Sequence, residues 1–174
     1  MTEKERKPYR EKAVDALTRS GIMLTAIERQ NVEIADFHLG MFEKVGLAIL
    51  TYVNTRRVCA KELVLLPGQI CPEHRHPSTS DAPGKEETFR CRQGKVILYV
   101  PGEPDRMSVV DAPAMETALT VFHRIELNPG DQYTLPPDTL HWFKAGSEGA
   151  IVSEFSTRST DERDVFTDSR IIRV

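Results

Sequence analysis

The chain has 174 residues with a formal net charge of −3, which fits one ordinary globular domain, so residues 1–174 are predicted to be a single domain. The small negative charge argues against nucleic acid or a membrane surface as a partner, and no apolar run approaches the length of a membrane span. The N-terminus has no apolar signal-peptide core, and the three cysteines lack the spacing of a disulfide framework or a thiolate zinc site. We expect a cytoplasmic protein with a small-molecule partner.

The first 45 residues are predicted to form an N-terminal helical segment. Apolar residues spaced by three and four between Tyr9 and Ser20 predict a short amphipathic helix that Gly21 ends. Thr25 and Glu28 then fit a capping box, in which the threonine caps a backbone N–H and the glutamate reaches back, before a second short helix. We expect the apolar faces of these helices to pack on the outside of the following β-structure or on a second subunit.

Residues 46–156 have the pattern of short β-strands. A strand is predicted from Leu47 to Asn54, after a turn at Gly40, and segments such as CAKELVLLPG, KVILYVPGEP and AIVSEFST are β-branched and end in turns. Strands at this spacing predict an all-β sandwich or barrel. The polar stretch PGEPDRMSVVDAPAMET is expected to be a surface loop, and residues 157–174 a charged tail that crosses the barrel or a partner subunit.

Residues that suit a metal occur at strand spacing in CPEHRHP. His74 and His76 share one face of an extended strand, since alternate side chains point the same way. Glu87 offers a carboxylate after a ten-residue insertion, with Glu86 as the alternative. Nitrogen and oxygen donors without a thiolate suit a divalent ion such as manganese, iron, nickel or zinc. One more ligand is then needed.

Glycines and a proline around these residues give a spacing that resembles the two motifs of the cupin family. The pattern comprises Gly68, Gly94, Gly130 and Pro136, with His141 following in PPDTLHWF. In cupins, two His and one Glu of the first motif and one His of the second bind a metal. The resemblance implies a cupin-type β-barrel, a double-sheet jelly roll, with His141 as fourth ligand. Asp138 stands where glycine is usual, but aspartate tolerates left-handed turn geometry.

Further candidates lie near these ligands along the chain. Lys85 is close enough to reach the open side of a bound metal, unless it is a solvated lysine on the insertion. Glu154 lies in an apolar strand, where an unpaired carboxylate is costly to bury, so it is either functional or turned toward water. Arg90 and Arg92 can offer guanidinium donors to a polar ligand, although exposed structural pairing is the simpler interpretation.

Longer segments resemble the short-form D-lyxose isomerases, a cupin family of sugar ketol-isomerases. CAKELVLLPGQICPEHRHP, PGKEETFRCRQGKVILYVPGEP, TVFHRIELNPGDQYTLPPDTLHWFKAG and VSEFSTRSTDERDVFTD carry this resemblance. It implies a metal-dependent homodimer, usually best with manganese, that interconverts D-lyxose and D-xylulose and often acts on D-mannose and D-fructose. It further implies metal ligands at His74, His76, Glu87 and His141, and a catalytic and substrate-orienting pair of Glu154 and Lys85. Arg90 is added as a predicted substrate contact because it follows Glu87 closely on the same predicted strand.

The residue types agree with this chemistry. Aldose–ketose isomerisation can run through a cis-enediol, in which a proton leaves C2 and returns to C1 while charge builds on O1 and O2. Glu154 is the candidate base, with Lys85 donating to a sugar oxygen, and a divalent cation supplies Lewis acidity. Two other interpretations stay open: an iron-dependent cupin dioxygenase with the same ligands, and a non-catalytic sugar-binding cupin.

Overall fold

The computed structural model of the protein describes residues 1–80, 82–105 and 118–173. Two helices come first in these ranges, α1 (Glu3–Arg19) and α2 (Ala26–Asn31). The strands are β1 (Glu33–Ala35), β2 (Leu47–Asn54), β3 (Cys59–Leu65), β4 (Ile70–Arg75), β5 (Glu87–Val100), β6 (His123–Leu127), β7 (Gln132–Leu135), β8 (His141–Ser156) and β9 (Val165–Phe166). The predicted all-β class with short N-terminal helices is confirmed. Residues 106–117 of the predicted surface loop lie outside the described ranges.

The strands form one curled antiparallel sheet of the predicted cupin type. Its order is β1-β2-β3-β8-β4-β9, and β5 pairs with β6, β7 and β8. The long strands β5 and β8 hold the barrel together, because β8 pairs with β5 along its length, with β4 near its start and with β3 near its end. Side chains on one face of β8 therefore point into the barrel next to side chains of β3, β4 and β5.

Helix α1 begins earlier than the sequence pattern predicts. The Thr2 backbone N–H donates to Glu5 Oε2 at 2.7 Å, which forms a second capping box ahead of Pro8. Pro8 is the sixth residue of α1, where it cannot donate a backbone hydrogen bond to the Lys4 carbonyl, yet the helix continues to Arg19. The box predicted at α2 is confirmed, with the Glu28 N–H donating to Thr25 Oγ1 at 3.2 Å and the Thr25 N–H donating to Glu28 Oε2 at 2.7 Å.

The helices pack on the outer face of the sheet, which is one of the two predicted arrangements; the other is packing on a second subunit. Val14 and Leu17 of α1 join a buried apolar cluster with Leu50 of β2, Val64 of β3 and Ile151 of β8. No helix in the described part of the chain is long and apolar enough to span a membrane. The helical layer covers one outer face of the barrel and leaves the interior to the strands.

Both ends of the chain also add strands to the sheet. Strand β1 lies within the predicted helical segment and pairs with β2, and strand β9 lies within the predicted tail and pairs with β4. Each has only two or three residues, too few for a sequence period to predict. The tail therefore crosses the barrel of its own chain, with Phe166 opposite His74.

A closely packed apolar region lies on the face of β5 and β8 opposite Phe89 and His141. Tyr99 and Trp142 stack with ring centroids 3.8 Å apart, and Trp142 Nε1 donates to the Val121 carbonyl at 2.8 Å. Both rings are fully buried and belong to the apolar core.

Candidate metal centre and active site

The four predicted metal ligands come together at one end of the barrel. His74 lies on β4 and faces His141, the first residue of β8, across the antiparallel pair. His76 follows the end of β4, and Glu87 begins β5. All four side chains are buried, which is unusual for polar groups unless they are paired or bind a metal. Strand alternation and strand pairing therefore produce the cluster that the sequence predicts.

Glu87 is at the centre of the cluster. Its Oε1 lies 3.1 Å from His76 Nε2 and 3.0 Å from His141 Nε2. The His74 ring lies beside both histidines, with centroids 4.3 Å from the His141 ring and 4.9 Å from the His76 ring. The alternative carboxylate, Glu86, is exposed. Glu87 is therefore the residue that shares the cluster with the three imidazoles.

Each imidazole is held in place through its Nδ1. His74 Nδ1 lies 2.8 Å from the Pro72 carbonyl, and His141 Nδ1 lies 2.9 Å from the Thr139 carbonyl. Carbonyl oxygens only accept hydrogen bonds, so each Nδ1 carries the proton and each Nε2 carries a lone pair. This is the arrangement in which protein histidines bind metals through Nε2.

The cluster fits a divalent metal ion. One ring nitrogen from each histidine lies within 4.8 Å of the others, and His141 Nε2, although 3.0 Å from Glu87 Oε1, makes no well-aligned hydrogen bond within the described part of the chain. Burial, with the neighbouring histidines, holds the pKa of His74 well below its usual value, which keeps this imidazole neutral. Burial opposes ionisation of Glu87, but Lys85 and His76 outweigh it and hold the Glu87 pKa well below its usual value. Burial favours a neutral His76, but Glu87 and Asp164 outweigh it and raise the His76 pKa to about 9, so a bound metal would displace a proton there. An ionised carboxylate and free ring lone pairs are what such an ion requires.

Lys85 and Glu154 form an ion pair next to this cluster. Lys85 Nζ lies 2.7 Å from Glu154 Oε1 and 2.7 Å from Glu87 Oε2. Both side chains are buried, so the alternatives of a solvated lysine and a water-facing glutamate are excluded. Burial favours a neutral lysine, but Glu154, Glu87 and Asp161 outweigh it and raise the Lys85 pKa well above its usual value. The lysine is therefore a cation and a hydrogen-bond donor.

The insertion before Glu87 folds back onto the barrel and delivers Lys85 to the site. Asp138 accepts hydrogen bonds from Arg75 and from the Ser78 backbone, each at 2.9 Å, and has a positive φ of 60° as the motif predicts. At the other end of the insertion, Gly84 approaches the His76 carbonyl so closely that a Cβ at Gly84 would lie 2.1 Å from that oxygen. The two contacts fix the base of the insertion.

Two further charged residues, Lys61 and Asp161, join the site without having been predicted. Lys61 Nζ lies 2.6 Å from Asp161 Oδ2, 2.8 Å from Ser159 Oγ and 4.0 Å from Glu154 Oε1. Burial opposes ionisation of Asp161, but Lys61 and Lys85 outweigh it and lower the Asp161 pKa. Lys61 shares the inward face of β3 with Leu63. The sequence did carry one signal for Lys61, since a lysine at an inward position of an otherwise apolar strand indicates a buried, paired charge.

A cavity beside the cluster joins these charged groups to an apolar wall. The apolar side chains that line it come from several strands and include Leu47, Ile49, Leu63, Phe89, Phe143 and Phe166. Its polar lining comprises His74, His76, Glu87, Lys61, Lys85, Glu154, Asp161, Asp164 and Arg173. A small molecule with hydroxyl groups on one side and C–H groups on the other matches such a lining.

Arg90, predicted as a substrate contact, lies away from the cavity that other predicted site residues line. Arg90 is exposed, and its Nη1 donates to Gln132 Oε1 at 3.2 Å on the outer face of the sheet. The physical reason is strand alternation: Glu87 and Phe89 of β5 face inward, so Arg90 faces outward. Arg92 is exposed as well. Arg90 is therefore paired on the outer surface and Arg92 is exposed there, as in the simpler of the two interpretations of the sequence.

Comparison with known proteins identifies the family. The family model for D-lyxose isomerase matches residues 8–174. The D-lyxose/D-mannose isomerase of Thermosediminibacter oceani is 59% identical over 169 residues, covering 97% of this chain and 93% of its own. The D-lyxose ketol-isomerase of Thermofilum sp. is 53% identical over 175 residues, covering 100% of this chain and 97% of its own.

Solved structures agree on the fold. The L-ribose isomerase of Acinetobacter sp. DL28, solved with L-ribose, superposes with a TM-score of 0.82 at 14% identity and covers 98% of this chain and 94% of its own. The L-ribose isomerase of Cellulomonas parahominis gives a TM-score of 0.81 at 15% identity, covering 98% and 94%. At such low identity these structures support the architecture alone. From the family match and the two close relatives, we conclude that this chain belongs to the D-lyxose isomerase family.

Proposed function

We propose that the protein interconverts D-lyxose and D-xylulose, and that it also acts on D-mannose and D-fructose. The observation that carries the proposal is the buried Lys85–Glu154 ion pair at 2.7 Å beside the His and Glu cluster. This places a candidate proton carrier and a cationic donor at the wall of one cavity. The names of the relatives from Thermosediminibacter and Thermofilum support the choice of sugars.

We propose that His74, His76, Glu87 and His141 hold a divalent metal ion, with manganese as the physiological ion. When bound, such an ion supplies Lewis acidity toward the oxygens of a substrate. The support comes from the donor set, which has three imidazole nitrogens and one carboxylate, all buried and close together, with His141 Nε2 3.0 Å from Glu87 Oε1. Manganese itself rests on the family resemblance, since such a donor set accepts several divalent ions.

Glu154 is proposed as the base that carries the proton between C2 and C1 of the sugar. A carboxylate can take a proton from one carbon and return it to the neighbouring carbon when both lie within reach of the same oxygen. Lys85 cannot serve as this base, because the three surrounding carboxylates keep it protonated. Its N–H groups instead donate to a sugar oxygen as negative charge develops there.

The remaining walls of the cavity support this reaction. The apolar side chains, among them Phe89, Phe143 and Phe166, exclude water from the reacting carbons. Lys61 and Asp161 complete a chain of alternating charges with Lys85 and Glu154, which keeps each buried charge paired. An enediol intermediate is thereby shielded from bulk solvent.

A homodimer in the cytoplasm is part of the same proposal. Val53 of β2 and Phe155 of β8 both pair with Ala60 of β3, and they are 38% and 50% exposed. Two exposed apolar side chains on either side of the partly exposed Ala60 support a subunit contact. All three cysteines are buried free thiols, which supports a reducing compartment.

The test is a turnover assay on metal-stripped protein reloaded with manganese. D-lyxose, D-mannose and D-xylose are incubated separately without oxygen, and ketose formation is measured. We expect the fastest turnover with D-lyxose, and none before the metal is restored. If no ketose forms from any of the three sugars, the proposal fails. Oxygen uptake with ferrous iron would then favour the cupin dioxygenase interpretation.

A further inference from the structure

One carboxylate outside the predicted ligand set contacts a predicted ligand directly. Asp164 Oδ1 lies 2.5 Å from His76 Nδ1, while His76 Nε2 faces Glu87 Oε1 at 3.1 Å. Both side chains are nearly buried, with 7% of the Asp164 side chain and 9% of the His76 side chain exposed. The two ring nitrogens of His76 therefore have separate partners, and only Nε2 points into the cluster.

The contact differs from those of the other two histidines. His74 and His141 are held by backbone carbonyls only two residues away, at Pro72 and Thr139, so their orientation is set by the local chain. His76 lies beyond the last residue of β4 and is held instead by a side chain 88 residues further along. Its orientation therefore depends on how another part of the chain is docked.

Asp164 belongs to a C-terminal segment, residues 157–173, that is attached to the barrel at several points. The Asn54 side chain exchanges two hydrogen bonds with the Ser159 backbone, at 3.0 and 3.1 Å. Thr167 donates both its backbone N–H, to the Glu73 carbonyl at 3.1 Å, and its hydroxyl, to Glu73 Oε1 at 2.6 Å. These contacts lie on either side of Asp164 and fix its position over His76.

We propose that Asp164 is a positioning residue for the metal centre and that it couples metal binding to docking of the C-terminal segment. The inference rests on the proposed metal site. Because Asp164 accepts the Nδ1 proton, it fixes the His76 ring with its lone pair on Nε2, directed at the site that Glu87 and His141 share. Carboxylates that hold a ligating histidine in this way raise metal affinity about 10- to 100-fold.

Coupling follows from thermodynamic reciprocity. If the docked segment strengthens metal binding through His76, a bound metal must stabilise the docked segment by the same factor. A purely structural Asp164 would tie the segment to the barrel without this effect. Measurements of metal affinity and of hydrogen exchange in the segment therefore distinguish a positioning role from a purely structural one.

The first measurement is the dissociation constant of manganese for purified protein, by competition with a metal-binding dye. We expect Asp164→Ala to weaken binding about 10- to 100-fold, and Asp164→Asn, which keeps an acceptor oxygen but loses the charge, to fall between it and the wild type. Asp168→Ala is the matched control, since Asp168 is a buried carboxylate of the same segment that pairs with Arg170. Its manganese affinity should stay within about 2-fold of the wild type, as expected for a partner remote from the ligands.

The second measurement is hydrogen exchange of residues 157–173 with and without manganese. In the wild type and in Asp168→Ala, manganese should slow exchange there, whereas in Asp164→Ala the protection should be largely lost. If Asp164→Ala binds manganese as tightly as the wild type, or keeps full protection, the inference is overturned and the proposed function is untouched. If the wild type itself does not bind manganese, the proposed metal site fails, and this inference fails with it. Asp164→Asn allows the same readouts should Asp164→Ala not fold.

Discussion

The two halves of strand β5 line the same barrel with different chemistry. At its start, Glu87 belongs to the histidine cluster and contacts Lys85, and at its end Leu98 is fully buried in the apolar core. Strand β8 shows the contrast between its two faces, because His141 faces the cluster while Trp142, on the opposite face, stacks on Tyr99. One continuous pair of strands therefore supports both a charged site and a closely packed core.

The difference shows how the barrel tolerates buried charge. Every charged side chain in the chain of Lys61, Asp161, Lys85 and Glu154 lies within 4.0 Å of one of opposite sign. At the far end, stability comes from filling space, where dispersion and burial of apolar area dominate. A substitution in the first region should therefore affect chemistry, and one in the second region should affect stability.

The largest effect on chemistry is expected from His141→Ala. Removing this imidazole takes away a ligand and leaves Glu87 without one of its neighbours. We expect manganese affinity to fall by more than about 100-fold, since even the partners of ligands contribute 10- to 100-fold, and isomerase activity to fall to background. Metal content after dialysis and ketose formation measure the two effects.

The adjacent Trp142→Phe is the control for His141→Ala. Its side chain points into the core and should leave the metal content unchanged, although it loses the hydrogen bond to Val121. Undiminished metal in His141→Ala would contradict the proposed ligand set. Loss of metal in both variants would indicate that the two regions are not separable.

A smaller loss of turnover is expected from Glu154→Gln. The amide cannot accept the C2 proton but keeps the size of the side chain, so kcat should fall about 10²- to 10⁴-fold, the usual contribution of general acid–base catalysis. Manganese content should be unchanged, because Glu154 contacts Lys85 and none of the four ligands in the described structure. Glu162→Gln, an exposed glutamate of the neighbouring turn, serves as control. Full turnover by Glu154→Gln with metal bound would exclude it as the base.

Leu98→Ala should lower stability and leave turnover largely unchanged, the reverse of what is expected for Glu154→Gln. The side chain is fully buried in the apolar half of β5, and its truncation is expected to lower the free energy of unfolding by about 2–5 kcal/mol. Activity per folded molecule at low temperature should remain near that of the wild type. Chemical denaturation and a ketose assay on the same sample check both parts. A large drop in kcat at unchanged stability would contradict the separation of the two regions.

The smallest effect is expected from Arg90→Ala. Because Arg90 is exposed on the outer face of β5, KM and kcat for D-lyxose should stay within about 2-fold, as for most surface substitutions. Lys85→Met is the matched comparison, since it removes a buried cation of the cavity and should abolish most turnover. A marked rise in KM for Arg90→Ala would restore this arginine as a substrate contact.

Site residues could be predicted from the sequence where a strand period and a motif spacing agreed. His74 and His76 alternate on one strand, and Glu87 and His141 follow at motif distances, so all four could be predicted before any contact was known. Arg90 was assigned from its closeness along the chain, although its odd offset from Glu87 already places it on the other face of a strand.

Other site residues could not be found in this way. Asp161 and Asp164 lie in a charged tail with no period, and they reach the site only because short contacts at Ser159 and Thr167 attach that tail to the barrel. Such contacts between segments about 90 to 105 residues apart are a property of the folded chain. Local patterns in the sequence do not encode them.

The insertion between His76 and Glu87 has a further consequence for protein engineering. Its base is fixed by Ser78 on Asp138 and by the close approach of Gly84 to the barrel. The insertion is thus a loop with two defined grafting points next to a cavity. Libraries that vary the length and sequence between Ser78 and Gly84 should change the shape of the entrance while the cluster keeps its geometry. Gly84 itself must be kept, since any side chain there would collide with the His76 carbonyl.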